Sequence, residues 1–191
     1  MQLCNCAICD FKNKEMEKVS INKTINLSEH FTLGEVTKSR HSEVYNIPSH
    51  VAIENLKRVC EWLEVLRTRY NQQYVCVSSD HPTHTGTPPN SGGEIDTEEP
   101  IIINSGYRSP ELNKKVGGSP TSNHLTGCAV DIRVAGIEQA MRYAVILMDY
   151  ADETKQDYDE LLIERNRSGG YWLHFAVRPK DNRRKTMFIQ K

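Results

Sequence analysis

The chain of 191 residues lacks any apolar run that approaches the roughly 20 residues of a membrane-spanning helix. Its first residues also lack the basic region and the apolar core of a secretory signal. These two absences predict a protein that is made in the cytoplasm and stays there unless lysis or a partner system releases it.

Charge of one sign is not in excess, since 24 Lys and Arg residues stand against 25 Asp and Glu residues and leave a net charge of −1. This balance gives no electrostatic case for a nucleic-acid partner or an anionic membrane. Basic residues cluster only near the end of the sequence, where we expect a solvated face. They are Arg178, Lys180, Arg183, Arg184 and Lys185.

Cysteine is limited to six residues, and a chain expected to stay in the cytoplasm does not predict disulfides from them. Cys4, Cys6 and Cys9 could ligate a metal together. No fourth donor lies close to them, so a mobile and oxidisable N-terminus is the favoured interpretation.

The length predicts one compact domain, which we expect to be a monomer. Residues 1–26 form a polar lead without clear periodicity, and the domain is predicted at 27–191. Residues 74–99 are rich in Ser, Thr, Pro, Gly and acidic residues and predict an inserted loop, either disordered or a lid over a substrate groove. Its His81 and His84 are a weaker alternative metal site.

Hydrophobic periodicity predicts an α+β fold. Apolar residues recur at helical spacing from Val51 to Tyr70 and from Ile137 to Met148. Alternating patterns predict a mainly antiparallel sheet with the helices packed on one side. The predicted strands are Ile101–Asn104, Cys128–Val134, Tyr158–Glu164 and Tyr171–Val177.

Three residues suit a catalytic zinc, namely His124, Asp131 and His174. Two imidazoles and one carboxylate leave a fourth coordination position for water. Zinc holds its donor atoms at roughly 2.0–2.2 Å, so they lie within about 3–4 Å of one another. Seven residues rise about 10 Å in a helix and more than about 20 Å in a strand, so the chain must turn after His124, most easily at Gly127.

Strand alternation places Asp131 and His174 each on the less apolar face of its strand. If the two strands are neighbours, the His174 side chain can face that of Asp131. Taken singly, each of the three residues also has an ordinary interpretation. His124 could be a turn residue, Asp131 a surface charge and His174 a strand histidine with its hydrogen bonds satisfied. The flanking sequence favours the metal site over these alternatives.

The flanking motifs resemble those of the zinc D-Ala-D-Ala carboxypeptidase family of peptidoglycan peptidases, which shares its fold with the hedgehog signalling domain. The similar motifs are Ser-Gly-Tyr-Arg-Ser-Pro at 105–110, Val-Gly-Gly-Ser at 116–119, Ser-x-His-x-x-Gly-x-Ala-x-Asp at 122–131 and Trp-x-His at 172–174. Phe-Thr-Leu-Gly-Glu at 31–35 is similar to the phage and mobile-element branch. The resemblance covers about residues 28–178.

This resemblance implies a hedgehog/DD-peptidase-like fold, with one zinc ion held by the two histidines and the aspartate. It implies that Arg108 holds the substrate near the scissile bond, a role that suits its planar guanidinium. Ser122 and Trp172 are predicted to bind substrate beside it. The implied partner is a peptidoglycan peptide.

The general base is the open assignment. Many members of the family carry a glutamate three residues before the last histidine, where this chain has Tyr171. The nearest candidate is Glu164, because a hairpin through the Gly-rich loop at 165–170 would bring two strand ends side by side. Asp159 and Glu160 are the alternatives.

The predicted function is zinc-dependent hydrolysis of a peptide bond in a peptidoglycan stem or cross-bridge, by a carboxypeptidase or an endopeptidase. One alternative is a catalytically weak zinc-containing module that binds the cell wall or a protein, which Tyr171 favours. Another is a structural component of a phage particle or conjugation apparatus. The enzyme is expected to act on the wall after release or lysis.

Overall fold

The computed structural model describes residues 24–75 and 98–191. Most of the predicted polar lead and of the predicted insertion lies outside the described residues. The same is true of the cysteines at 4, 6 and 9 and of the histidines at 81 and 84. The predictions made for them therefore stay predictions.

Four α-helices are present in the described part of the chain: α1 (Leu33–Thr37), α2 (His50–Tyr70), α3 (Pro110–Lys115) and α4 (Ile137–Thr154). A π-helical turn, Asn71–Val75, continues α2. Helix starts follow local capping chemistry. The Ser49 side chain accepts from the Ala52 N–H, and Ser109 accepts from the Leu112 N–H with proline as the first helical residue.

The sheet has five strands in the order β1-β2-β4-β3-β5. They are β1 (Ile103–Ser105), β2 (Ala129–Arg133), β3 (Glu160–Arg165), β4 (Tyr171–Ala176) and β5 (Lys185–Gln190). The first three pairings are antiparallel, whereas β5 runs parallel to β3 at the edge. The α+β class and the four predicted strands are confirmed, with bounds shifted by one or two residues.

Strand β5 is not predicted from the sequence. The sequence predicts only a solvated face in the basic segment that leads into it. Two side chains of this strand, Met187 and Phe188, are about half exposed, so its apolar residues do not alternate as those of a half-buried strand do. Arg183 is exposed, as the expected solvated face requires, whereas Arg178 is partly buried. Both pair with Asp159, which is completely buried.

Helices α2 and α4 pack on one face of the sheet and form the hydrophobic core with it. Trp62 of α2 lies with its ring centroid 5.5 Å from that of Phe175 on β4 and 4.8 Å from that of Tyr150 on α4. The opposite face of β2, β3 and β4 carries the polar side chains Asp131, Glu160, Glu164 and His174 together with Leu162 and Trp172. None of the helices in the described ranges is long and apolar enough to cross a bilayer.

Gly106 joins α1 to the loop that follows β1. The Tyr107 N–H donates to the Val36 carbonyl at 2.7 Å. A Cβ atom added at Gly106 would overlap that same carbonyl oxygen, so the two backbones can approach this closely only at a glycine. The loop that carries Arg108 is thereby fixed against the end of α1.

Gly106→Ala is expected to lower the free energy of unfolding by about 1–3 kcal/mol, because one of two backbone segments must shift. Urea unfolding followed by circular dichroism measures the change. Gly136→Ala is the matched control, since a Cβ there meets nothing within 4 Å, and it should cost less than about 1 kcal/mol. Equal effects of both substitutions would contradict the close approach at Gly106.

Candidate metal site and catalytic cleft

His124 lies on a short 3-10 turn, Asn123–Thr126, rather than on a regular helix or strand. The Ser122 hydroxyl caps this turn by accepting from the His124 N–H at 3.3 Å. Gly127 ends it with φ 73°, a left-handed conformation that glycine adopts without strain. The chain turn that the spacing from His124 to Asp131 requires is confirmed at this glycine.

The His124 ring is oriented by the backbone of the Arg108 loop. Its Nδ1 lies 2.6 Å from the Gly106 carbonyl oxygen, which can only accept, so Nδ1 carries the proton and donates it. The other ring nitrogen, Nε2, lies 3.3 Å from Oδ1 of Asp131. Histidine ligands of metals commonly donate their second nitrogen to such a carbonyl, and His124 is arranged in this way.

Asp131 and His174 meet because they are direct partners in the β2–β4 register. Nδ1 of His174 lies 2.9 Å from Oδ1 of Asp131, the oxygen that also faces His124. The strand alternation that the sequence predicts is confirmed, since Val130 and Ile132 lie in the core while Asp131 faces the histidines.

The three side chains could hold a metal ion. One donor atom from each residue lies within 4.8 Å of the other two, and this is the only such cluster among the residues that the structure describes. Tetrahedral zinc with nitrogen and oxygen ligands keeps its donors about 3.3 Å apart. The observed 3.3 Å and 2.9 Å separations to Asp131 Oδ1 are close to that value.

Burial and charge act against each other in this cluster. Burial alone would raise the pKa of Asp131, but the neighbouring His124 and His174 hold it well below its usual value. Burial likewise tends to lower the pKa of His174, yet hydrogen bonding to Asp131 and Glu160 raises it to about 9. The site therefore stabilises an ionised Asp131 carboxylate beside a positively charged group. A metal cation bound there would supply that positive charge.

Arg108 occupies the remaining oxygen of Asp131. Its Nη2 donates to Asp131 Oδ2 at 2.6 Å, and its Nε donates to the Ser105 hydroxyl at 2.9 Å. The Arg108 backbone N–H donates to the His124 carbonyl at 3.0 Å. Within the described ranges Nη1 has no hydrogen-bond partner, so one end of the guanidinium is available to a substrate.

Two carboxylates on β3 border the cluster. Glu160 Oε2 lies 3.6 Å from Nε2 of His174 and accepts from the Asn123 side chain at 3.0 Å. The histidine lowers the pKa of Glu160 to about 2. Glu164 is buried opposite Trp172 in the β3–β4 register and forms an ion pair with Lys191.

Tyr171 lies on the other face of β4. Its ring contacts Phe188 and the guanidinium of Arg165, and it packs against the hydrophobic core. In a strand, a residue three positions before His174 faces away from it. Trp172, and not Tyr171, shares the face of His174, so no side chain at position 171 of this strand lines the cleft.

All seven predicted site residues line one cleft of about 530 Å3. They are Arg108, Ser122, His124, Asp131, Glu164, Trp172 and His174. The alternative base Asp159 does not line the cleft, because it is buried in an ion-pair cluster. The roles of the seven residues stay predictions.

That ion-pair cluster holds the turn of His124 in place through Asn123. The sequence does not predict it. Asp159 accepts from the Asn123 side chain at 2.7 Å and from Nη2 of Arg183 at 2.7 Å, and Arg178 pairs with it at 2.9 Å. Asn123 directly precedes His124. An Asp before an apolar run looks like any strand start, so the sequence carries no signal for this contact.

Asp159→Asn should destabilise the protein at pH 7 by about 2–3 kcal/mol, because two arginines lose a buried ionic partner. The loss is not larger, because solvent screens the half-exposed arginine. Burial tends to raise the pKa of Asp159, but Arg183, Asn123 and Arg178 lower it below its usual value. Its stabilisation is therefore present above the unfolded-state pKa and is lost as pH falls through the folded-state pKa.

Chemical denaturation between pH 7 and pH 2 tests this expectation, with the exposed Asp157→Asn as the control. The difference between wild type and Asp159→Asn should shrink as the solution becomes acidic. A difference that stays constant over this range would contradict the ion-pair cluster.

The comparisons with known proteins locate the same region. A family model described as Peptidase M15 matches residues 94–156. The matched segment holds Arg108, His124 and Asp131, whereas His174 lies beyond it. No curated protein matches the chain. The resemblance found in the motifs is thereby confirmed over this segment, which is similar to the zinc D-Ala-D-Ala carboxypeptidase-like Peptidase M15 family.

Proposed function

We propose that the chain is a zinc-dependent peptidase that hydrolyses a peptide bond in peptidoglycan stem or cross-bridge peptides. The similarity of residues 94–156 to the Peptidase M15 family supports zinc peptidase activity on peptidoglycan-type substrates. The observation that carries the proposal is the convergence of His124, Asp131 and His174 in a cleft large enough for a short peptide.

The donor set suits zinc. His124 presents Nε2 because its Nδ1 is committed to the Gly106 carbonyl. Asp131 presents Oδ1 because Arg108 holds its Oδ2. Zinc bound by these atoms and His174 would supply a Lewis acid that polarises a carbonyl and lowers the pKa of water.

Arg108 is proposed to stabilise the negative charge that develops on the carbonyl oxygen during attack. Its side chain is fixed by Asp131 and Ser105, so little reorganisation is needed when that charge forms. The unpaired Nη1 is the donor that would reach the substrate. Ser122 and Trp172 line the same cleft and are proposed as substrate contacts.

Glu164 is proposed as the general base that takes a proton from water and passes it to the leaving amine. The competing Glu160 is engaged by Asn123, Arg183 and His174, and its pKa of about 2 makes it a weak base at neutral pH. Among the residues that the structure describes, Glu164 has one ion-pair partner, Lys191, whose side chain is more than half exposed and can move away.

One zinc ion per chain is expected to remain after dialysis against a weak chelator. His124→Ala and His174→Ala should lose it, with a fall in affinity larger than the roughly 10- to 100-fold cost of an outer-shell change. Metal content by atomic absorption and folding by circular dichroism are the readouts.

His50→Ala is the matched control for zinc binding, since this exposed histidine at the start of α2 lies outside the cluster. It should keep its zinc. Full zinc content in both His124→Ala and His174→Ala would assign the metal to another part of the chain.

Glu164→Gln should lower kcat by about 10²- to 10⁴-fold, because the amide cannot accept the proton. Mass spectrometry of purified stem peptides incubated with the zinc-loaded protein measures the loss and identifies the bond that is cut. Zinc content should be unchanged. If Glu160→Gln removes the activity and Glu164→Gln does not, Glu160 is the base instead.

A binding module is the second candidate function. The ion pair between Lys191 and Glu164 favours it, because Lys191 occupies the carboxylate that a general base would have to offer to water. Zinc binding together with peptide binding, but without any cleavage product, would support this alternative over the peptidase.

A further inference from the structure

A second cleft lies next to the candidate metal site and shares Arg108 and Val116 with it. Its volume is about 510 Å3. The other side chains that define it include Lys38, Arg40 and His41 from the segment after α1, and Asn104, Ser105 and Arg133 from β1 and β2. A peptide that crosses the metal site and passes Arg108 would enter this cleft.

Positive charge dominates the second cleft. Lys38, Arg40 and Arg133 line it together with Arg108, and no carboxylate is among its lining side chains. Within residues 24–75 and 98–191, Lys38, Arg40 and Arg133 form no ion pair. The chain as a whole has a net charge of −1, so this accumulation is local.

Glu43, three residues after Arg40, does not neutralise these cations. Glu43 is held by His41 at 3.3 Å and by the ammonium group of Lys115. Glu43 is thus already engaged by two side chains, and it is not among the residues that line the second cleft. Arg133 donates through Nε to the neutral side chain of Asn104 at 3.4 Å, and no ion pair within the described residues offsets the three cations.

Backbone contacts hold the two walls of the cleft together. The Asn46 amide donates to the Thr37 carbonyl at 2.9 Å and to the Tyr107 carbonyl at 3.0 Å. Its Oδ1 accepts from the Ser109 N–H at 2.7 Å. With the close approach of Gly106 to Val36, this clamp fixes the segment of Lys38 and Arg40 beside Arg108.

Cations that lie close together on one concave surface repel one another and make the local electrostatic potential positive. A bound anion reduces both the repulsion and the potential. The anion that a peptide carries is a carboxylate, which guanidinium groups bind through paired hydrogen bonds. Arg40 and Arg133 supply two such groups in the second cleft, in addition to Arg108 at its border with the metal site.

We propose that the second cleft is a subsite for a carboxylate of the substrate peptide, held by Lys38, Arg40 and Arg133. This inference rests on the proposed function and narrows its substrate class to peptides with an acidic group close to the scissile bond. The carboxylate belongs either to the C terminus, as in a carboxypeptidase substrate, or to an acidic side chain further along the peptide.

Equilibrium binding of four fluorescent stem-like peptides to zinc-loaded Glu164→Gln tests the subsite. The peptides differ only in Glu against Gln and in a free against an amidated C terminus, and mass spectrometry verifies that they stay intact. A peptide with the recognised carboxylate should bind at least about fivefold more tightly than its amide, and the preference should weaken with salt. Adding Arg40→Gln and Arg133→Gln should abolish this preference for the carboxylate peptide. Adding Lys155→Gln should leave the preference unchanged, because Lys155 is exposed and lies outside both clefts.

The pair of peptides that shows the difference in affinity identifies which carboxylate the protein recognises. Dependence on the free C terminus indicates a carboxypeptidase orientation, and dependence on Glu indicates recognition of an acidic side chain. Equal binding of all four peptides, or a preference that survives the loss of Arg40 and Arg133, would overturn the subsite. Cleavage by the wild-type chain is scored separately, so a failed subsite and a failed peptidase give different results.

Discussion

The antiparallel register between β2 and β4 is the constraint on which the candidate site depends. It places Asp131 opposite His174 and brings one carboxylate oxygen to 2.9 Å from the imidazole. A shift by one residue would set Asp131 opposite a core residue, Leu173 or Phe175, and would turn every following side chain to the wrong face. The packed core therefore specifies the geometry of the candidate metal site, because it permits only one register.

The site is assembled from segments that are distant in sequence, yet each is fixed by a backbone contact. The His124 ring is held by the Gly106 carbonyl, Gly106 is held against α1, and Arg108 is tied both to the His124 carbonyl and to Asp131. Asp159 supports the turn through Asn123. Such preorganisation is what a catalytic cleft requires, since charges that are already oriented do not have to rearrange during the reaction.

Much of this arrangement follows from the sequence alone. The need for a turn near Gly127 and the alternation around Asp131 are local patterns with a direct physical cause, and the structure has both. Strand β5 and the pairing of Arg183 with Asp159 could not be read in the same way. Both depend on contacts between distant residues, and neither leaves a periodic pattern, since β5 lies at an edge and the arginines resemble solvated charges.

The two faces of β4 separate Tyr171 from the cleft that Trp172 and His174 line. Tyr171 packs toward the core, and the carboxylate nearest to Trp172 comes from Glu164 on the adjacent strand. In the folded sheet, neighbours across strands are as close as neighbours along them. A search pattern that demands an acidic residue at a fixed offset before the last histidine would reject this chain, whereas one that searches the preceding strand would retain it. Enzymes set aside as inactive on the basis of such an offset are worth inspecting for a carboxylate that crosses over from the neighbouring strand.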